Sequence, residues 1–213
     1  MSAYQIKFAA EFNLLGVADE RVDKNPFLRF RRLFEQVSAM SMEKPNAAVL
    51  ATANKQAQPS ARIVLIKELV SSGFVFYTNY QSRKGRDLAQ NPLAELVFYW
   101  SALDSQIRIH GTVSKLSRES SEMYYHSRPR ASQLGALVSP QSETISGRED
   151  LEKKIRRLDA QYAGQVIPLP ENWGGYVLQP LHFEFWYNQS GRLHDRYLFE
   201  YQSGEWIERR LAP

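Results

Sequence analysis

Between residues 47 and 211 the chain passes through eight short runs rich in β-branched and aromatic residues, separated by turn signals or by helical segments. They are AAVLATA (47–53), PSARIVLIK (59–67), FVFYTN (74–79), LAELVFYW (93–100), QIRIHGTVSKL (106–116), GGYVLQPLHFEFWYN (174–188), RLHDRYLFEY (192–201) and EWIERRL (205–211). Several neighbours are joined only by a few turn residues, such as Asn54 to Gln58, Ser71-Ser72-Gly73 and Gly204. Tight turns join antiparallel strands, whereas parallel strands need a long crossover. The pattern predicts a mainly β, antiparallel fold, a meander or closed barrel with flanking helices.

The helices announce themselves by caps and by a period of 3.6. Asn25-Pro26 is an N-cap followed by proline at the first helical position, and Phe27, Phe30, Leu33, Phe34, Val37 and Met40 form one apolar stripe over 26–41. SRKGRDLAQN (82–91) predicts a short helix stopped by Asn91-Pro92, and SRESSEMYYHSR and the segment after Pro129 predict two more. Ser146 to Glu149 has the form of a capping box opening a charged helix to about 163. Residues 1–24 lack periodicity, which predicts an N-terminal arm and a single domain over 25–213.

Several chemistries are excluded. Without cysteine there is no disulfide, thiol nucleophile or thiolate metal site. No GxGxxG, phosphate-loop, GxSxG or HExxH motif occurs, and the four histidines lie far apart, so no metal site is expected; His182 and Glu184 read as an exposed strand face. No signal segment and no run of 18 apolar residues is found, so the expectation is a cytoplasmic protein without a membrane partner. Twenty-seven basic against 23 acidic residues leave +4. That excess suits an anionic ligand of any size.

Basic residues cluster at strand ends and helix starts. Arg62 and Lys67 bracket IVLI; being five apart, they point to opposite faces of a regular strand unless a bulge intervenes or Lys67 lies past the strand end. Tyr77-Thr78 ends a strand, and Ser82-Arg83-Lys84 opens the next helix, where free backbone N–H groups and two cations make a phosphate cradle. Tyr124, Arg128 and Ser132 follow at four-residue intervals, with Pro129 breaking the helix between them. In an extended RLHDR, Arg192, His194 and Arg196 share one face, and Asp195 on the other is expected to pair with a nearby cation.

RIVLIK (62–67), FYTNYQSRKGRDLAQNP (76–92), YYHSRPRASQLGALVSPQS (124–142), PLPENWGGY (168–176) and FEFWYNQSGRLHDRYLFE (183–200) closely resemble the pyridoxine/pyridoxamine 5′-phosphate oxidase family, in order and spacing, from about residue 25 to the closing RLAP. The resemblance implies an FMN-binding split β-barrel, a homodimer with FMN at the subunit interface, and no nucleic-acid partner. It implies oxidation of pyridoxine or pyridoxamine 5′-phosphate to pyridoxal 5′-phosphate. A hydride passes from C4′ to flavin N5, and O2 reoxidises the flavin to give H2O2. FMN contacts are implied at Arg62, Ile63, Val64, Leu65, Ile66, Lys67, Tyr77, Thr78, Arg83, Lys84, Gln106, Gln141, Ser142, Trp186 and Arg196. Substrate contacts are implied at Lys67, Tyr124, Arg128, Ser132, Arg192 and His194, the last two facing the reacting carbon as catalytic residues.

The arm departs from the family. Where an R-x-E-Y-like element is common, this chain has AAEF, with Ala9 and Phe12 in place of the arginine and tyrosine. The resemblance therefore does not extend to lid contacts from the arm. Two other readings compete with a B6-phosphate oxidase. One is a flavin oxidase of the same fold on another substrate, as in phenazine biosynthesis, which should lack several of the six substrate residues. The other is a non-catalytic binder of flavin, pyridoxal phosphate or nucleic acid. FEFWY lacks the interleaved cations that base stacking uses.

Overall fold

The structure, a computed structural model, describes residues 5–12 and 24–213. Among them ten strands form one curled sheet: β1 (Lys7–Phe8), β2 (Ala47–Ala53), β3 (Pro59–Leu65), β4 (Glu68–Val70), β5 (Gly73–Asn79), β6 (Leu93–Trp100), β7 (Ser105–Lys115), β8 (Trp173–Tyr187), β9 (Asp195–Gln202) and β10 (Glu205–Leu211). Five helices flank it: α1 (Pro26–Ala39), α2 (Arg83–Gln90), α3 (Arg118–Ser127), α4 (Arg130–Val138) and α5 (Arg148–Gln161). The eight expected strands are all present. The two additional ones, β1 and β4, span two and three residues, too few for a period of two to register.

The order along the sheet is β1-β4-β5-β8-β7-β6-β2-β3, with β9 on β8 and β10 on β9. This corrects the simple meander. Consecutive β5 and β6 do not pair; β5 joins β8, and β6 joins β2. Neighbours are antiparallel except β1 with β4. The 15-residue β8 is the organising strand: it borders β7 on one side and exchanges β5 for β9 on the other. Pro180 sits at that exchange, paired with Gly111 where the β7–β8 register shifts.

Alternation puts one row of each strand inside. Phe74, Phe98, Trp100, Phe183, Phe185 and Phe199 are fully buried, and α1 adds Phe27, Phe30, Leu33, Phe34 and Val37 from one face. The Phe30 ring meets Phe74 and Phe98 edge-on at 4.9 and 5.0 Å. Burying one such side chain stabilises by roughly 1.5–3 kcal/mol. Asn25 caps α1, its Oδ1 accepting from the N–H groups of Phe27 and Leu28.

The arm contributes too. Phe12 is buried and stacks on Phe27 at 5.1 Å, and the Lys7 N–H donates to the Lys67 carbonyl at 2.9 Å. The remainder of the expected arm, residues 1–4 and 13–23, lies outside the described residues. The capping box is corrected: α5 opens at Arg148 with Gly147 as its cap, and the Ser146 hydroxyl bonds the Asp150 carboxylate instead of a backbone N–H. No helix among the described residues is long and apolar enough to cross a membrane.

Candidate active site

The expected phosphate cradle lies where β5 hands over to α2. Ser82 caps the helix, accepting from the Gly85 N–H at 3.3 Å while its own hydroxyl donates to the Asn79 carbonyl at 2.7 Å. A side chain at 85 has no room, since a Cβ there falls 2.1 Å from the Tyr80 carbonyl oxygen. That turn carries Lys84 inward. Its Nζ donates to Gln141 Oε1 at 2.7 Å, Thr78 Oγ1 at 3.1 Å and Ser82 Oγ at 3.3 Å. All three are neutral. Burial, and then the Arg62 charge, push the Lys84 ammonium down to about 8. Arg83 stands exposed on the same first turn, and Ser142, beside Gln141, holds a left-handed φ of 75°.

Arg62 reaches α2 from β3. Its guanidinium donates to the Leu50 carbonyl, Thr52 Oγ1 and Ser60 Oγ, with the Asp87 carboxylate at 3.8 Å. Burial lowers its pKa and Asp87 opposes that. Of the rest of this run, Val64 and Ile66 are buried, Leu65 is half-buried and Ile63 is 62% exposed. The parity difficulty resolves without a bulge. β3 ends at Leu65, and Lys67 lies beyond it, its N–H donating to the Val75 carbonyl at 2.8 Å.

Beside the cradle, α3 and α4 build a second pocket around a satellite core of Tyr125, Leu134, Ile167, Leu169 and Trp173. The helix breaks at Arg128, whose backbone is extended before Pro129. Tyr77 stacks on Tyr124 at 3.7 Å, and the Trp173 ring lies within 2° of parallel to Tyr124. Burial raises both tyrosine hydroxyls above their ordinary pKa, which keeps them neutral donors; Tyr77 donates to Glu68 Oε1 at 3.1 Å. Arg128 lies 4.7 Å from the Trp173 ring centroid, and its buried Nη1 has no hydrogen-bond partner among the described residues. Burial, followed by the Arg128 charge, lowers the Lys67 ammonium. One cavity of about 310 Å³ is lined by Arg128, Ser132, Trp173 and Gln141, so it links this pocket to the cradle.

The other expected residues gather elsewhere. Gln106, Trp186 and Arg196 lie side by side across β7, β8 and β9 in direct register. Arg196 donates to Glu184 Oε1 at 2.8 Å and to the Ala212 carbonyl at 2.8 Å. The RLHDR row is corrected. Ser190–Arg192 form a 3-10 turn with left-handed φ at Gly191 and Arg192, 67° and 61°, and β9 begins only at Asp195. Arg192 therefore does not continue the face of Arg196 as part of an extended strand. Arg192 is exposed on the turn; His194 packs on Trp186 at 4.7 Å, its Nδ1 accepting from the Gln189 N–H at 3.2 Å. Asp195 has the expected cation in Arg210.

The two groups lie at opposite ends of β8. Tyr77 is in register with Gly175 and Gln106 with Trp186, eleven residues further on. At ~3.3 Å per residue that is as much as ~36 Å of extended strand. Sequence reasoning did not single out Trp173 or Glu68, and it placed Glu184 on an exposed strand face, whereas Glu184 is buried and paired with Arg196. Trp173 sits within a quoted motif, yet as a lone aromatic beside glycines it carries no charge signal. No group of three or more histidine, aspartate or glutamate side chains among the described residues could hold a metal ion.

Comparison with known proteins gives the family and the fold. Residues 33–162 match the family model described as pyridoxamine 5′-phosphate oxidase, and 173–213 match the pyridoxine 5′-phosphate oxidase C-terminal dimerisation region. A pyridoxine/pyridoxamine 5′-phosphate oxidase of Nostoc sp. is 47% identical over 204 residues, 95% of each chain. One from Salinibacter ruber is 46% identical over 206 residues, covering 95% of this chain and 96% of its own. Among solved structures, PhzG from Burkholderia lata, in complex with tetrahydrophenazine-1-carboxylic acid, superposes with a TM-score of 0.86 at 28% identity, over 94% of this chain and 98% of that one. A pyridoxamine 5′-phosphate oxidase-related, FMN-binding protein from Nostoc punctiforme shares the fold, with a TM-score of 0.72 at 16% identity over 89% and 98%.

Proposed function

Because the chain belongs to the pyridoxamine 5′-phosphate oxidase family, an oxidoreductase family, we propose that it oxidises pyridoxine or pyridoxamine 5′-phosphate to pyridoxal 5′-phosphate, with FMN as cofactor and O2 as acceptor. The observation that carries this reading is the pair of cationic pockets joined by one cavity: Lys84 beside Gln141, and Arg128 beside Ser132. Among the described residues, Lys84 is a buried cation bonded only to neutral oxygens, and Arg128 has a buried, unpartnered N–H group. Both are arrangements that an anionic phosphate would complete.

The donor set fits FMN. Lys84, the exposed Arg83 and the open N–H groups at the start of α2 would hold its phosphate, assisted by Arg62, Thr78 and Ser142. Gln106, Trp186 and Arg196 would meet the ring system. FMN held there would supply the redox chemistry, a hydride acceptor for C4′ and a route for the electrons to O2. Lys67, Tyr124, Arg128 and Ser132 take the substrate phosphate, so the binding energy of a remote charge orients the reacting carbon. In neutral His194, the bond to Nδ1 leaves the proton on Nε2, which is then a donor beside the substrate. Arg192 supplies a permanent positive charge there.

With the two groups eleven residues apart along β8, each FMN would lie between two subunits and not within one chain. A two-fold dimer brings the cradle of one subunit to the Trp186 row of its partner. The match of 173–213 to a dimerisation region supports this arrangement.

The test is direct. The purified protein should be yellow and should consume O2 with either B6 phosphate. A colourless protein that FMN cannot reconstitute contradicts the flavin assignment. Yellow protein inert with both substrates favours a same-fold oxidase of other specificity, the reading that the PhzG likeness keeps in play.

A further inference from the structure

We propose that Trp173 is a positioning residue that sets the selectivity for a phosphorylated substrate, by holding the Arg128 guanidinium at the cavity wall. The inference rests on the reading that Arg128 binds the substrate phosphate. Arg128 occupies the break between α3 and α4, where no helical ladder fixes it. Its backbone is tied by its carbonyl, which accepts from Gln133 Nε2 at 2.8 Å. Its side chain is different: no carboxylate among the described residues pairs with it, and the groups that define its direction are ring faces, Trp173 at 4.7 Å and Tyr125 at 5.9 Å.

The Trp173 ring is itself closely packed. It is 6% exposed at the first position of β8, opposite Asn79, and Tyr125 meets it edge-on at 5.3 Å. A fixed aromatic face attracts a cation through its quadrupole without neutralising it. A carboxylate in the same place would hold Arg128 as firmly but would cancel the charge that the phosphate needs. The indole and the guanidinium both line the cavity, and the buried Nη1 has no hydrogen-bond partner among the described residues.

The test compares W173F, W173L and R128M holoenzymes. It measures kcat and KM for pyridoxine 5′-phosphate and for unphosphorylated pyridoxine, with inorganic phosphate as a competitive inhibitor and flavin absorbance as the control for cofactor. W173L should raise the KM for the phosphate ester and the phosphate inhibition constant together, by roughly tenfold. Its kcat should stay within about twofold, and pyridoxine kinetics should change little. W173F, which keeps a ring face, should fall between W173L and the wild type. An unchanged phosphate inhibition constant, or equal losses with both substrates, overturns the proposal. Should W173L not fold, W173F decides on the same two quantities. If R128M leaves phosphate inhibition unaltered, the underlying reading of Arg128 falls; if R128M weakens it and the Trp173 variants do not, the inference about Trp173 alone falls.

Discussion

Arg196 and Glu184 form a two-pronged ion pair across β9 and β8, with Nε and Nη2 of the arginine each 2.8 Å from Oε1 of the glutamate. The other carboxylate oxygen takes Arg108 at 3.2 Å, and Arg108 in turn bonds Glu95 at 2.5 Å. Four strands are thus laced by alternating charge, with Arg196 in the row of Gln106 and Trp186 and the Arg108–Glu184 pair one row away from it. Glu184 is the buried member, with its side chain 11% exposed against 27% for Arg196 and 43% for Arg108.

Glu184→Gln should therefore destabilise the protein and misdirect Arg196. An amide can accept from the arginines but turns an N–H group toward one of them. Because both arginines are partly exposed, the loss should be about 1–3 kcal/mol, below that of a fully buried pair. Thermal melts check this with and without FMN. The gain in melting temperature on adding FMN should shrink as well; an unchanged gain means that Glu184 does not hold Arg196 for the cofactor.

Lys84 makes the cradle sensitive to pH. Its ammonium, pushed down to about 8 by burial and by Arg62, should be restored toward its ordinary value by a bound phosphate dianion. FMN binding then takes up a proton above pH 8, so affinity should be flat up to about 8 and fall beyond it. In the apoprotein the slope is opposite. The folded state holds fewer protons than the unfolded chain between about 8 and the ordinary lysine value, so this group's destabilising effect is complete below 8 and is relieved as pH rises. Titrating FMN fluorescence from pH 7 to 10 tests the first slope, and Lys84→Met should both weaken binding and abolish the pH dependence.

Gly85→Ala probes the backbone beneath that lysine. With a Cβ 2.1 Å from the Tyr80 carbonyl oxygen, and rigid backbone on both sides, the start of α2 must move. The expected loss is about 1–3 kcal/mol, as for other overpacked sites, and FMN retention should fall with it. Denaturant midpoints and flavin absorbance after desalting provide the measurement. Full retention in a stable protein would mean that the cradle tolerates a shifted helix.

Much of this architecture was legible in the sequence, and the failures share a cause. Strands such as 93–100 and the α1 stripe were readable because alternation and the 3.6 period are local properties of a long segment. Pairing order is not local. Nothing in FVFYTN says that its neighbour is GGYVLQ, about 100 residues later, and not LAELVFYW. The RLHDR row failed because parity presumes an extended chain, whereas Gly191 and Arg192 both take left-handed φ. For arginine that conformation costs roughly 1–3 kcal/mol, and such strain concentrates at functional sites. Trp173 and Glu184 gave no signal because their roles lie in what they hold.

Arg192→Ala should lower kcat by about 10²-fold or more while leaving the protein yellow, since the side chain stands on the exposed turn and supports no part of the fold. Arg192→Gly keeps the left-handed turn at no steric cost, so comparing the two separates the lost charge from altered backbone. Stopped-flow reduction of the flavin is the informative measurement. Unchanged reduction rates in both variants would remove Arg192 from the chemistry.

The strongest test of the composite site mixes two impaired proteins. Lys84→Met damages only the cradle, and Arg192→Ala only the turn beside Trp186. If each FMN lies between the cradle of one subunit and the Trp186 row of its partner, both homodimers carry two defective sites. A heterodimer of the two variants carries one doubly defective site and one with no substitution. Random exchange makes half of the dimers mixed, so about a quarter of wild-type activity should return. The experiment unfolds the two variants together, refolds them with excess FMN and measures O2 consumption. Activity no higher than the average of the two separately refolded variants would show that every site is built from a single chain, and the separation along β8 would then need another explanation.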